Sequence, residues 1–170
     1  RTGRHFAITR QLDVRLGRVT TVVMDGVEFA NPDWARERWL LRAQGAQLQV
    51  RLWPLLRHRQ LVLPSVRLVR PELGLQVQPD GRRTWALGHD GEGERAIHLD
   101  SLAVDQGALR FVAPHLGADI AADVAVEPTQ RLPLAFRARG RWHGQAFEAS
   151  GRAGSVLALA REGVDPYPLE

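Results

Sequence analysis

Alternation of apolar and polar residues with a period of two runs through most of this chain, and no other feature limits its folding so tightly. Leu12, Val14 and Leu16 alternate with Asp13, Arg15 and Gly17, and Leu48, Val50 and Leu52 with Gln47, Gln49 and Arg51. Leu73, Leu75 and Val77 alternate with Gly74, Gln76 and Gln78; Ile120, Ala122, Val124 and Val126 continue the pattern, as do Leu134, Phe136 and Ala138 against Arg137 and Arg139. Successive side chains on a strand point to opposite faces, so each of these stretches has one dry and one wet face as a strand. A helix would scatter the same residues around its girth.

Turn residues cut the pattern at short intervals. Pro79-Asp80-Gly81 predicts a turn between Val77 and Trp85, and Asp105-Gln106-Gly107 a hairpin closing Leu102/Val104 against Leu109/Phe111. Gly140 and Gly144 flank a further hairpin around Trp142. The apolar phase changes between Ile97/Leu99 and Leu102/Val104, which predicts a bulge near Asp100-Ser101. Helix signals are few. Asn31-Pro32-Asp33-Trp34 has an N-cap, a proline at the first helical position and an acid in the first turn; Pro54-Leu55-Leu56-Arg57-His58 follows the strand ending at Leu52. The polar, acidic stretch Gly88–Glu94 is the segment expected to move most. The sum is a mainly β fold: a curled, mostly antiparallel sheet, groove- or half-barrel-like, of roughly eight to eleven strands, with one or two short helices near its N-terminal end.

The length of 170 residues fits one domain, and 44% hydrophobic with 25% charged residues excludes global disorder. Cysteine is absent, which removes disulfides, thiolate nucleophiles and cysteine-ligated metals but leaves the compartment open. All 23 basic residues are arginine, so the pI near 11.0 overstates the field of a chain whose net charge is only +4. No run of ~18 apolar residues is present to span a bilayer.

Motifs for catalysis are missing. His5, His58, His89, His98, His115 and His143 never fall at the spacing of metal ligands. Gly91-Glu92-Gly93-Glu94-Arg95-Ala96 fits the dinucleotide fingerprint in letters only, because a strand near Ile97 follows where a helix is needed and two glutamates would repel pyrophosphate. From Asp90 onward the same stretch imitates a calcium loop without its glycine at position six or its glutamate at position twelve. There is no nucleophile elbow, and a phosphate loop is impossible without lysine. Asp119 and Asp123 share one strand face, where carboxylates ordinarily just solvate. The chain is therefore expected not to be an enzyme and to carry no cofactor and no metal. Arginines at Arg36/Arg38/Arg42, Arg57/His58/Arg59 and Arg137/Arg139/Arg141 could meet phosphates. Aromatic interleaving is too weak for a base-stacking platform, so no nucleic acid is expected.

The order of pieces along the N-terminal half carries a family resemblance. Thr2-Gly3-Arg4 precedes an alternating strand, followed by Gly26-Val27-Glu28-Phe29-Ala30-Asn31-Pro32-Asp33-Trp34 and by Leu48–Leu52 running into Trp53-Pro54-Leu55-Leu56. Then come Leu63–Arg70, Pro71-Glu72-Leu73-Gly74-Leu75 and Asp80-Gly81-Arg82-Arg83-Thr84-Trp85. This order resembles the N-terminal domain of the AsmA family. Leu134–Ala138, Gly140, Gly144 and Pro166-Tyr167-Pro168-Leu169 resemble that family's next hairpins, so the likeness covers the whole chain and is strongest over residues 1–87.

The resemblance implies a single β-rich domain over residues 1–170, excised from a longer protein held in the bacterial inner membrane by a helix before Thr2-Gly3-Arg4. Its body would be periplasmic and serve outer-membrane biogenesis in a Gram-negative envelope. The wider group has a chorein-like start and a curled sheet whose apolar groove is thought to carry lipid in intermembrane transport. On this chain, phospholipid chains would lie against Leu48, Val50, Leu52, Leu73, Leu75, Val77, Leu109 and Phe111, with Arg57, Arg59, Arg137 and Arg139 at headgroups or the surface. Alternation alone more ordinarily describes a sheet packed on a second sheet or closed on itself. Such a chain would be a structural or protein-interaction scaffold in envelope assembly, with a partner protein and no lipid. The two readings separate on whether those leucines and valines line an open trough or a sealed core.

Overall fold

The structure, a computed structural model, describes residues 5–58, 60–86 and 97–154. The alternating stretches form strands, and all eleven belong to one curled sheet. In chain order they are β1 (Phe6–Ile8), β2 (Leu12–Arg15), β3 (Thr20–Ala30), β4 (Trp39–Arg51), β5 (Leu61–Val69) and β6 (Glu72–Gln76), then β7 (Ile97–Leu99), β8 (Leu102–Ala113), β9 (Ala118–Val126), β10 (Leu134–Trp142) and β11 (Gln145–Ala153). One α-helix, α1 (Leu52–His58), joins β4 to β5, and a single 3-10 turn covers Pro114–Leu116.

Three pairs of short strands are interrupted ribbons. β1 and β2 both lie along β3, β5 and β6 both lie along β4, and β7 and β8 continue one another beside β5 and β6. The ribbon order is thus β1/β2, β3, β4, β5/β6, β7/β8, β9, β10, β11. Neighbours are antiparallel except in the middle, where β7/β8 runs parallel to β5/β6: Leu61 opposite Ile97, Val66 opposite Leu102, Leu73 opposite Leu109. A parallel pair cannot be closed by a tight turn, which is why the chain needs a long return between Gln76 and Ile97.

Four central ribbons change their apolar phase at the same level of the sheet. Val22 and Met24 give way to Val27 and Phe29 in β3, and Leu41 and Ala43 to Ala46 and Leu48 in β4. Leu68 gives way to Leu73 across β5/β6, and Val104 to Leu109 in β8. Strict alternation would send the two halves of each ribbon to opposite faces. Met24 and Val27 nevertheless pack in one cluster with Ala46, joined by Ile8, Val22, Leu48 and Leu68. The reset is visible in the backbone: Gly26, Arg70 and Gln106 adopt φ of 72°, 46° and 51°. Arg70 and Gln106 are also tied side by side, through Arg70 N to the Asp105 carbonyl (2.8 Å) and Arg70 Nε to Gln106 Oε1 (3.0 Å).

Where this line meets ribbons that keep their phase, an extra residue absorbs the mismatch. Val104 faces Val126 but Gly107 faces Val124, three residues against two; Ile8 faces Val27 but Leu12 faces Met24, four against three. These are β-bulges, which also bend the strands that carry them.

Three sequence expectations need correction. Asp105-Gln106-Gly107 closes no hairpin: β8 runs unbroken from Leu102 to Ala113, and Gln106 is the phase-reset residue inside it. Turn composition marks the irregular backbone but not whether the chain reverses. Asn31-Pro32-Asp33-Trp34 opens no helix, only a turn closed by Ala35 N on the Pro32 carbonyl (2.9 Å). The Asn31 side chain, instead of capping, donates to the carbonyls of Glu37 and Gly74, both at 2.9 Å. Leu52 does not end a strand, because β4 stops at Arg51 and Leu52 is the first residue of α1.

Other expectations match. Gly81 N reaches the Gln78 carbonyl (2.9 Å) in the Pro79-Asp80-Gly81 turn, and Val77 bridges to Arg83. One exception is the bulge expected near Asp100-Ser101: the strand breaks there between β7 and β8, but the register to β5 does not shift, with Leu63 opposite Leu99 and Val66 opposite Leu102. β10 and β11 close at His143-Gly144 with φ of 50° and 77°, the left-handed pair of a tight hairpin turn. Gly88–Glu94 lies outside the described residues.

Gly26 gives a direct test of the phase line. A Cβ there would sit 2.0 Å from Thr9 Oγ1, on a backbone at φ +72°, whereas at Gly81, φ +84°, it would meet nothing within 4 Å. Gly26→Ala should lower the unfolding free energy by about 2–3 kcal/mol and Gly81→Ala by about 1 kcal/mol. Urea titration separates them; equal losses would mean that the close approach at Gly26 carries no weight.

Candidate functional site

Pairing aligns the apolar residues into rows that cross the sheet. One row runs Met24, Ala46, Leu68, Val104, Val126, Leu134, Ala153 through seven ribbons, with every member apolar. Six strand spacings of ~4.8 Å make it about 29 Å long. Beside it stands Val22, Leu48, Val66, Leu102. Beyond the phase line follow Leu41, Leu73, Leu109, Ala122, Ala138 and then Leu75, Phe111, Ile120. Together they form one continuous apolar face.

The face is neither sealed nor laid open. Leu48, Val50, Leu73, Leu75, Leu109 and Phe111 are all half-buried, while the residues that alternate with them, such as Arg42, Gln47, Arg67, Asp123, Arg137 and Arg139, are exposed. Half-burial with no layer packed on top among the described residues is what curling gives the inner face of a single sheet. The largest side chains below 2% exposure are Thr84 and Pro71, among the described residues, so no large aliphatic or aromatic group is fully enclosed.

Two residues assigned to this face from sequence sit elsewhere. Leu52 lies on α1, and Val77 lies past the end of β6 in the bridge to Arg83; both are half-buried. Sequence reading passed over Val22, Met24, Leu68 and Val104 as site residues. The signal that finds them is an odd-numbered step in the apolar pattern, three residues in β3 and β4 and five in β5/β6 and β8.

Coverage comes on the opposite, polar face. Segment 31–39 packs onto β6 where Gly74 has no side chain; a Cβ there would lie 2.5 Å from the Trp39 carbonyl oxygen. Arg36 N donates to Gln76 Oε1 (2.7 Å), and Gln76 N to Thr84 Oγ1 (2.9 Å). Asp119 accepts from Arg110 (2.8 Å) and faces Arg36 at 3.6 Å. Beside this latch is a cavity of ≈ 490 Å³, whose lining includes Arg38, Arg110, Arg137, Arg139, Glu72 and Asp123.

The arginines divide accordingly. Arg137 and Arg139 alternate with Phe136 and Ala138, so they point away from the apolar face and line the outer cavity. Headgroups of a lipid on the inner face would reach them only around a rim. Arg42 is paired with Glu28 (3.3 Å), and the Arg38 guanidinium lies 4.8 Å over the Trp39 ring. Arg57 is exposed on α1. Arg59 lies outside the described residues.

No group of three or more His, Asp or Glu side chains among the described residues could hold a metal. The Arg82 backbone N–H (3.1 Å), followed by its guanidinium (2.6 Å), holds the exposed Asp80 carboxyl below the usual carboxylate range. That pair fastens a turn and sits in no cleft. Comparison with protein-family models, curated proteins and solved structures finds no match for the chain.

Adjacent residues on β8 test the sidedness. Leu109→Ser removes a half-buried apolar side chain from the inner face and should cost about 2 kcal/mol, while Ala108→Ser on the exposed face should stay within about 0.5 kcal/mol. Denaturant midpoints check both, and a reversed order would place the apolar face on the wrong side.

Proposed function

We propose that this chain is a non-catalytic, lipid-handling domain of an AsmA-like inner-membrane protein, which holds phospholipid acyl chains against its apolar face during transport to the outer membrane. One observation carries the lipid part of this reading. One apolar row continues through seven ribbons with shorter rows beside it, and no described element packs over them. Hiding a lipid tail from water is worth about 0.8 kcal/mol per methylene, or roughly 13 kcal/mol for a ~16-carbon chain. Only a continuous dry wall supplies that. A single curled sheet provides such a wall without sacrificing a core it would otherwise need.

Periplasmic location, inner-membrane anchoring and service to outer-membrane biogenesis rest on the order of sequence pieces that resembles the AsmA family. The body of such a protein would be built by adding strands at β11, extending the same face; the seven spacings of ~4.8 Å between eight ribbons make only about 34 Å along the stacking direction, a module of a conduit. A scaffold with no lipid is the competing reading, favoured by the small sealed cluster of Met24, Val27 and Ala46.

Native mass spectrometry of the folded chain purified from bacterial membranes tests the two. The lipid reading expects bound phospholipid, reduced several-fold by Leu73→Asp or Phe111→Asp in variants whose circular dichroism is unchanged. Protein free of lipid that also takes up no fluorescent phospholipid from vesicles sinks it and leaves the scaffold.

A further inference from the structure

Two neighbouring turns at one end of the sheet carry the three most exposed large apolar side chains among the described residues. The β2–β3 turn, 16–19, stops just before Thr20, whose partner across the sheet is Val50, and α1 starts two residues after Val50. The turns are thus adjacent. On them Leu16 is 80% exposed, Trp53 69% and Leu56 77%, with Val14 at 46% beside them. No residue of α1 is buried. A two-turn helix has too few hydrogen bonds to persist for its own sake in water, and this one holds its leucines and tryptophan outward.

The charge around them has one sign. Arg18, Arg51, Arg57 and His58 are exposed on the same two turns, and none is in an ion pair among the described residues; Arg15 pairs with Asp13 at 3.2 Å. The sequence holds no Asp or Glu from Val14 to Met24, nor from Arg38 to Pro71. The acidic stretch Asp90–Glu94 lies outside the described residues. Tryptophan and leucine beside arginines that have no carboxylate partner among the described residues is the chemistry of the boundary between lipid headgroups and acyl chains: the indole and leucines enter the apolar layer while guanidinium groups bind phosphate. A soluble protein partner of opposite charge would be matched by arginine at its rim, but would ask for shape, whereas these side chains project from two convex turns.

We propose that this end of the sheet docks on an anionic phospholipid bilayer, with Leu16, Trp53 and Leu56 inserted and Arg18, Arg51 and Arg57 on lipid phosphates. The proposal deepens the lipid-handling reading by naming a second contact with a bilayer, at the opposite end of β3 from Phe6, where the anchoring helix would lead in; it does not require the inner face to hold lipid.

Vesicle co-sedimentation of the full 170-residue chain tests it, comparing phosphatidylcholine vesicles with vesicles containing about a third phosphatidylglycerol. The expected result is at least roughly tenfold tighter binding to the anionic vesicles, weakened by high salt. Arg18→Gln with Arg57→Gln should weaken it about twenty-five-fold, about fivefold per arginine. Trp53→Ser with Leu56→Ser should lose at least about tenfold, and a blue shift of tryptophan emission on binding should shrink in Trp53→Phe. All these positions are exposed, so unchanged urea midpoints separate lost docking from lost folding. Equal binding to both vesicle types, or unchanged binding by both double variants, overturns the proposal. So does dimerisation that replaces vesicle binding and disappears in Trp53→Ser/Leu56→Ser, since the surface would then fit a second copy. Docking by a protein that carries no lipid in native mass spectrometry sinks the inner-face reading alone; bound lipid without docking sinks this one alone.

Discussion

The structure depends on a coordinated change of backbone phase. Strands of eleven to thirteen residues, such as β3 and β4, are long enough for twist and coil to carry their ends far out of one plane. An uninterrupted alternation would then have to choose one face for the whole length. Here Gly26, Arg70 and Gln106 step out of phase at one level, with β4 following between Gln44 and Ala46, and the flanking ribbons absorb the step as bulges. Two non-glycine residues accept left-handed backbone for this, at a cost of order 1 kcal/mol each. The return is a strongly bent sheet whose apolar side stays on the inside throughout.

Coverage follows the opposite logic from an ordinary two-layer domain. Layered folds bury a sheet's apolar face under a second element. In this chain the described segments that fold back, 31–39 and 78–86, engage the polar side of β6 or its end through hydrogen bonds: Asn31 to Gly74 and Glu37, Arg36 to Gln76, Gln76 to Thr84. Such contacts hold position more than they drive folding, since each nets about 1 kcal/mol. The apolar rows are left to the curl of the sheet itself, which leaves many of their members half-buried while Met24, Ala46, Val66, Val126 and Ala153 are buried.

A wall of this kind and an exposed greasy turn at its end belong together physically. Apolar surface left open on a folded domain is an aggregation liability unless something of matching chemistry covers it. On the reading proposed above, lipid would be such a partner for both surfaces: its tails for the concave rows, its headgroup boundary for Leu16, Trp53 and Leu56 among the arginines. The outer cavity with Arg110, Arg137 and Arg139 is of another character, because Glu72 and Asp123 line it as well.

Strand character, the turn at Pro79-Asp80-Gly81, the helix before His58 and the tight turn after Trp142 were legible because each rests on local chemistry: side-chain period, proline, glycine. Leu48, Val50, Leu73, Leu75, Leu109 and Phe111 could be assigned to a shared surface for the same reason. What local chemistry could not reveal was pairing. Asp105-Gln106-Gly107 reads as a hairpin until β5 and β6 are seen running parallel beside it, and Asn31 reads as a helix cap until Gly74 offers a carbonyl from another strand. Arg137 and Arg139 seemed available to the same ligand as Phe111 until register put them through the sheet on its far side. The sequence by itself determined which residues are apolar on every strand, since alternation is a property of the backbone's two-residue repeat. Tertiary structure alone decided which of those strands stand next to one another, and so whether the apolar sides join into one surface, because register is set by contacts between residues far apart in the chain.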